Sequence, residues 1–341
     1  MDLFTKPAGV GVILDRSFQL YRKHFKTAYL LMIIFFGPIY FLQNLIIFGA
    51  SEMSFLPQSG DTVTGSLDEI YSNSEMYSDT FSIVYLLFTF LVLPIYVVAI
   101  MPAAISSLLH LVRTKAEGRE VRLGELLKRS FSPYWRMTGY TMLFGLILFG
   151  VYIALVVALT IIIFVFFLLF AALGAGLTEL GSDPFGGGVA LVVMIIILYL
   201  LFIVGVMASY GFFVIRFGFY LPIIALDNGE QPIARSWRLT KGNFWRIFAI
   251  SMVLSLVSTV FMLGGYALAI AVFKLSILGQ IIQVLFALLI LPVIVISYGV
   301  IFYDLRGRNE GADLEHMLKL ANEADDAKAS ARTNHEPLGE M

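Results

Sequence analysis

The chain reads as an all-α integral membrane protein with six transmembrane helices, laid out as three parallel helical-hairpin units, each preceded by an interfacial amphipathic helix. Three observations predict this. Apolar residues make up 59% and charged residues only 14% of the chain, with a mean hydropathy of +0.87, where soluble domains carry roughly 25% charge. Uncharged apolar runs long enough for a crossing, about 20 residues for about 30 Å of hydrocarbon, occur six times. Finally, all but one of the 23 Lys and Arg residues, Lys274 being the exception, fall in four short polar stretches between those runs.

Basic residues are retained on the cytoplasmic side during insertion, so this segregation sets the topology. The stretches 1–27, 111–136, 216–246 and 304–341 read as cytoplasmic, and the remaining loops, acidic from Glu52 to Asp183, read as external. The spans fall near 28–50, 81–110, 138–165, 190–215, 247–272 and 277–302. Residues 1–27 form an amphipathic N-terminal segment, 28–303 the transmembrane domain and 304–341 a cytoplasmic tail that is polar and disordered from Asp325. The expected setting is a bacterial plasma membrane, crossed several times, with both termini inside. The basic residues before the first span and the lack of a small-residue cleavage site mark that span as an uncleaved anchor.

Each element has its own signature. At 100° per residue Leu14, Phe18, Tyr21 and Phe25 form one stripe, opposite Arg16, Gln19 and Lys23, which suits a helix lying in the interface with its apolar face in lipid. The second span carries Leu93-Pro94 and ends at His110, whose ring is expected to snorkel near Arg113. The third run, 137–177, holds no charge and at ~1.5 Å per residue is about twice one crossing. Splitting it would send Arg235, Arg238 and Lys241 outside, so it reads as one span followed by surplus apolar helix, Phe164 to Leu173, and a turn-rich segment from Gly174 to Gly188. The fourth span carries Ser209-Tyr210-Gly211. Pro232 opens the segment before the fifth, with Ile233, Trp237 and Phe244 on one face and Arg235 and Arg238 on the other. Leu291-Pro292 and Ser297-Tyr298-Gly299 mark the sixth, and Leu314, Met317, Leu318 and Ala321 form a short stripe beyond it.

The entry segments share a phrase: Asp15-Arg16-Ser17-Phe18, Lys128-Arg129-Ser130-Phe131 and Ala234-Arg235-Ser236-Trp237. Their serines are 113 and 106 residues apart, a period that holds one basic segment and two spans. Repeated descent and a shared interface preference both produce such wording.

The spans hold no ionisable group, so the usual pointers to proton or ion pathways are missing. The polar candidates are Gln43 and Asn44 in the first span and Gln280 and Gln283 in the sixth, either as interhelical hydrogen bonds or as the lining of a substrate path. Arg16, Arg22, Lys23, Arg129, Arg235 and Arg238 are candidates for contact with anionic head groups. The four histidines lack metal-ligand spacing, cysteine is absent, and no nucleophile-elbow, zinc-protease or phosphate-loop phrase occurs. The expectation is no catalytic residue, no metal and no cofactor, and a net charge of -1 gives no reason to expect nucleic acid.

The phrases Ile13-Leu14-Asp15-Arg16-Ser17-Phe18, Arg235-Ser236-Trp237-Arg238-Leu239-Thr240-Lys241-Gly242 and Tyr303-Asp304-Leu305-Arg306 resemble those of bacterial glycerophosphoryl diester phosphodiesterase membrane-domain proteins. That resemblance implies a polytopic membrane domain. The enzyme that lent the family its name carries a separate catalytic barrel of roughly 250 residues, for which this chain has no room, so no catalytic residue is carried over. The reading that follows is a non-enzymatic scaffold or accessory subunit whose partners are anionic lipids and a second membrane protein or a second copy. The alternative is a permease or lipid-handling protein for an apolar or zwitterionic substrate.

Overall fold

The amphipathic segments expected from the sequence are helices, and within the stretches 111–136 and 216–246 each folds back as a hairpin on the end of the span before it. A computed structural model describes residues 9–48, 79–120, 122–179, 184–227, 229–273 and 276–333, some of them by their backbone alone. The elements are α1 (Val10–Lys23), α2 (Phe25–Phe48), α3 (Asp79–Leu87), α4 (Leu93–Ala99), α5 (Met101–Ala116), α6 (Leu123–Ser130), α7 (Tyr134–Glu179), α8 (Pro184–Phe217), α9 (Tyr220–Asp227), α10 (Pro232–Thr240), α11 (Phe244–Phe273) and α12 (Ile277–Thr333). A π-helical turn, Phe88–Val92, joins α3 to α4. It precedes Pro94, which has no N–H for the carbonyl one turn earlier and whose ring crowds it, and a wider turn relieves that contact.

Among the described residues six helical stretches are long and apolar enough to cross a membrane: Phe25–Gln43, Ile83–Ala116, Tyr134–Leu169, Ile196–Asp227, Phe244–Phe273 and Ile277–Asn309. The protein is therefore an all-α, multi-pass membrane protein. The long charge-free run forms a single helix, α7, of 46 residues. Helix α12 also continues without a break past Gly311 to Thr333.

The even-numbered spans run 34, 32 and 33 residues, about 50 Å each at ~1.5 Å per residue, well beyond about 30 Å of hydrocarbon. Their basic ends therefore project past the lipid. There α5 packs with α6, α9 with α10, and α12 with α1, while α5 contacts both α9 and α12. The pairing is cyclic. The second and third amphipathic helices pack on the even span that precedes them in the chain, and α1 takes the equivalent place on the sixth span.

The amphipathic faces consequently pack on protein, which corrects the expectation that they lie in lipid. Ile13, Ser17 and Tyr21 of α1, Leu126 and Ser130 of α6, and Pro232, Ser236, Leu239 and Thr240 of α10 are buried. They join one continuous core with Ala103, Leu108 and Val112 of α5, Ile223 and Ile224 of α9, and Ile296, Phe302 and Leu305 of α12. Outside the hydrocarbon, water supplies the driving force: each fully buried Leu, Ile or Phe is worth roughly 1.5–3 kcal/mol. Inside lipid that force is missing and only packing and hydrogen bonds remain.

The three phrase serines are the small, fully buried centres of these hairpins. Ser17 Oγ donates to Ile13 O at 2.7 Å and Ser130 Oγ to Leu126 O at 2.6 Å. Ser236 does more, because the fourth span breaks beside it at Gly218. It donates to Arg216 O at 2.8 Å and accepts from Phe219 N at 3.0 Å, satisfying both sides of the break. A Cβ on Gly218 would sit 2.5 Å from Val214 O, so the break needs glycine. Beyond the serines the match continues: Ala28, Leu31 and Phe35 are buried in the first unit, and Ile247, Ile250 and Leu254, at the same distances from Ser236, are buried in the third. The second unit has a shorter connection, since α7 opens at Tyr134, close behind Ser130.

Candidate functional site

The C-terminal end of α9 gathers arginines from four elements. A helix C-terminus leaves carbonyls without partners and carries partial negative charge, so cations are favoured there. Arg113 of α5 donates to Leu226 O at 2.9 Å, and Arg136 of α7 donates to Gly229 O. The Asp227 carboxylate, 10% exposed, meets Arg306 of α12 at 2.7 Å and Arg235 of α10 at 3.1 Å. The Arg235 contact lacks hydrogen-bond alignment at Oδ2 and acts as an ion pair. A second acid, Asp304, holds Arg246 of α11 at 2.7 Å and Arg308 at 3.0 Å, and Asn309 Nδ2 donates to Leu239 O at 2.8 Å. These contacts tie all three hairpins to one another.

The candidate head-group residues divide. Arg235 faces Asp227, inside the protein, and Arg129 bonds Glu125 at 2.7 Å on an exposed helix surface. Arg22, Lys23 and Arg238 are exposed, as the lipid-contact reading requires, and Arg16 is half-buried. Two neighbouring residues mark the interface more sharply than the arginines do. Trp135 is 84% and Trp245 77% exposed, each next to an arginine that turns inward, which is the arrangement of an aromatic belt.

The polar candidates within the spans do not assemble into a path. Gln280 is buried next to the Ser276 turn that opens α12, where its backbone N–H donates to Ser276 O at 3.2 Å. Gln43 and Gln283 are half-buried, and the side chain of Asn44 lies outside the described residues. Both α1 and the first span touch the sixth: Tyr21 of α1 and Tyr29 of the first span donate to Leu289 O and Leu285 O at 2.7 and 3.2 Å. Desolvation raises the Tyr21 phenol to about 12, so it stays a donor. His110 does not snorkel; it is 7% exposed within the basic-end core, and neither ring nitrogen has a hydrogen-bond partner among the described residues. His24, at the joint of α1 and α2, is held below its ordinary value by burial and by the nearby Lys115 and Lys23. Glu117 is lowered by its hydrogen bond from Arg113, at 2.8 Å.

Two cavities lie against the spans, and both are apolar. One of about 750 Å³ runs between the second, third and fourth spans, lined by residues such as Val97, Met101, Phe144, Leu148 and Met207. The other, about 460 Å³, lies between the first and second spans around Phe35, Pro38 and Tyr96. Neither includes Gln43, Gln280 or Gln283. Sequence reasoning missed both the arginine cluster and the larger cavity. The acid of the cluster was visible as Asp227 at the end of an apolar run, but its partners come from distant segments. Among the described residues no group of His, Asp and Glu is placed to hold a metal. Comparison with protein-family models, with curated proteins and with solved structures finds no match for this chain.

Proposed function

We propose that the chain is a non-enzymatic scaffold or accessory subunit of a membrane complex, inserted in a bacterial plasma membrane with its basic end and both termini in the cytoplasm. One contrast carries the reading. The most apolar stretch of the sixth span is 61% buried, whereas in those of the third and fourth spans no residue is buried. An arginine-tied platform thus carries two long helices, α7 and α8, that pack on each other and on α4, α5, α9, α10 and α11 but leave their most apolar stretches uncovered, as suits a protein that offers helices to a neighbour. Arg22, Lys23, Lys128, Arg238 and Lys241 lie exposed at the basic end and fit anionic head groups on the cytoplasmic leaflet.

The wording shared with glycerophosphoryl diester phosphodiesterase membrane-domain proteins supports a membrane role. A lipid-handling role is the second reading, favoured by the larger apolar cavity. Purification of the full chain in mild detergent should recover a membrane protein in fixed stoichiometry, and that protein should be lost when the exposed Ile153, Val157 and Ile161 are replaced by serine. A monodisperse monomer with no partner would contradict the scaffold reading.

A further inference from the structure

The larger cavity is a groove with a built shape. Its wall on the third span runs from Thr141 to Tyr152, about 16 Å at ~1.5 Å per residue. That is close to half of the ~30 Å hydrocarbon core, the depth of one leaflet. It begins about 9 Å above Trp135, the exposed interfacial aromatic. Its polar groups are few, and the Tyr220 hydroxyl is already spent on Thr141 Oγ1 at 2.9 Å. Gly145 lies in the lining, and a Cβ there meets nothing within 4 Å. Gly145 leaves a gap in a wall otherwise built of Met142, Phe144, Leu148, Phe149 and Tyr152.

Size decides the occupant. An acyl chain is slender enough, and the cavity falls within the roughly 300–1,000 Å³ of small-ligand sites. The counterpart seam between the sixth and first spans is closed, because Tyr29 bridges it to Leu285 O. In the second unit the exposed side chain of Met142 lines the groove.

We propose that the groove between the second, third and fourth spans holds one acyl chain of a phospholipid from the leaflet on the basic side. This does not depend on the scaffold reading, and a partner could bind the outer faces of the same helices with the chain in place. The test uses the full chain in vesicles of phosphatidylethanolamine and phosphatidylglycerol, with a trace of phosphatidylglycerol bearing a photoactivatable group in its tail. Adducts should concentrate on lining residues such as Met142, Phe149 and Met207. Gly145→Phe, which fills the groove, should cut their yield about tenfold, in line with the cost of removing apolar pocket space. Gly150→Phe, on the same helix outside the lining and also facing open space, should leave it unchanged. Val206→Trp fills the groove from the facing wall and should repeat the loss, so a folding defect in one variant does not decide the outcome. Adducts spread evenly over Leu143, Val157 and the lining, or an undiminished yield in both filled variants, would overturn the proposal.

Discussion

Replacing Gly299 by leucine is expected to separate the second and sixth spans and lower stability by about 3 kcal/mol, the upper part of the usual overpacking range. A Cβ at this position already lies 3.1 Å from Leu109 Cδ2 and 3.2 Å from Val112 Cγ2. Leucine adds three further carbons to a seam where Leu109 and Val112 are themselves fully buried. Interiors packed at crystal density have no slack for that. Thermal unfolding of the purified chain measures the effect, and Gly139→Leu is the control, since Gly139 faces open space. An unchanged midpoint for Gly299→Leu would mean that the even spans do not meet there.

Asp227→Ala should cost a comparable amount, about 3 kcal/mol. Removing one partner of a buried ion pair typically costs about 3–5 kcal/mol because the other charge stays behind, and the low end applies here. Arg306 is 42% exposed, so water screens much of its share, whereas Arg235 is 20% exposed and loses more. Asp227→Asn should be milder, since it keeps the shape and one acceptor for an arginine. The sharper readout is local. With the carboxylate gone, the hairpin of α9 and α10 should loosen and trypsin should cut at Arg235 and Arg238. Protection equal to that of the parent chain would show that the arginines do not lock this end.

Much of the fold was legible because membranes impose coarse rules. Charge segregation and run length identified six spans, and they kept the long run beginning at Met137 as one helix, α7. The phrase around Ser17, Ser130 and Ser236 marked three equivalent places. What the phrase did not say is what the apolar faces touch. A stripe such as Leu14, Phe18 and Tyr21 has the same pattern whether it faces lipid or the side of another helix. The clue lay in length: an even span that stays apolar from Ile83 to Val112 exceeds one crossing, so part of it must be buried elsewhere. Likewise Arg235 and Arg238 are near neighbours of one composition, yet the first reaches Asp227 and the second is exposed, and only the rotation of α10 against α9 separates them. The groove was beyond sequence reasoning altogether, because it depends on how far the third span stands off from the second.

At the basic end the even spans meet in a closed core on which the rest of the protein is mounted. The chain has no cysteine, which makes one measurement direct. A Cβ at Gly299 would lie 3.5 Å from Val112 Cβ, within the roughly 3.5–4.5 Å that a disulfide spans. The double variant Val112→Cys with Gly299→Cys should therefore close a disulfide under mild oxidation in native membranes, in the full-length monomer, shielded from a thiol reagent beforehand. Two thiols that remain free, and both react readily with that reagent, would contradict the account.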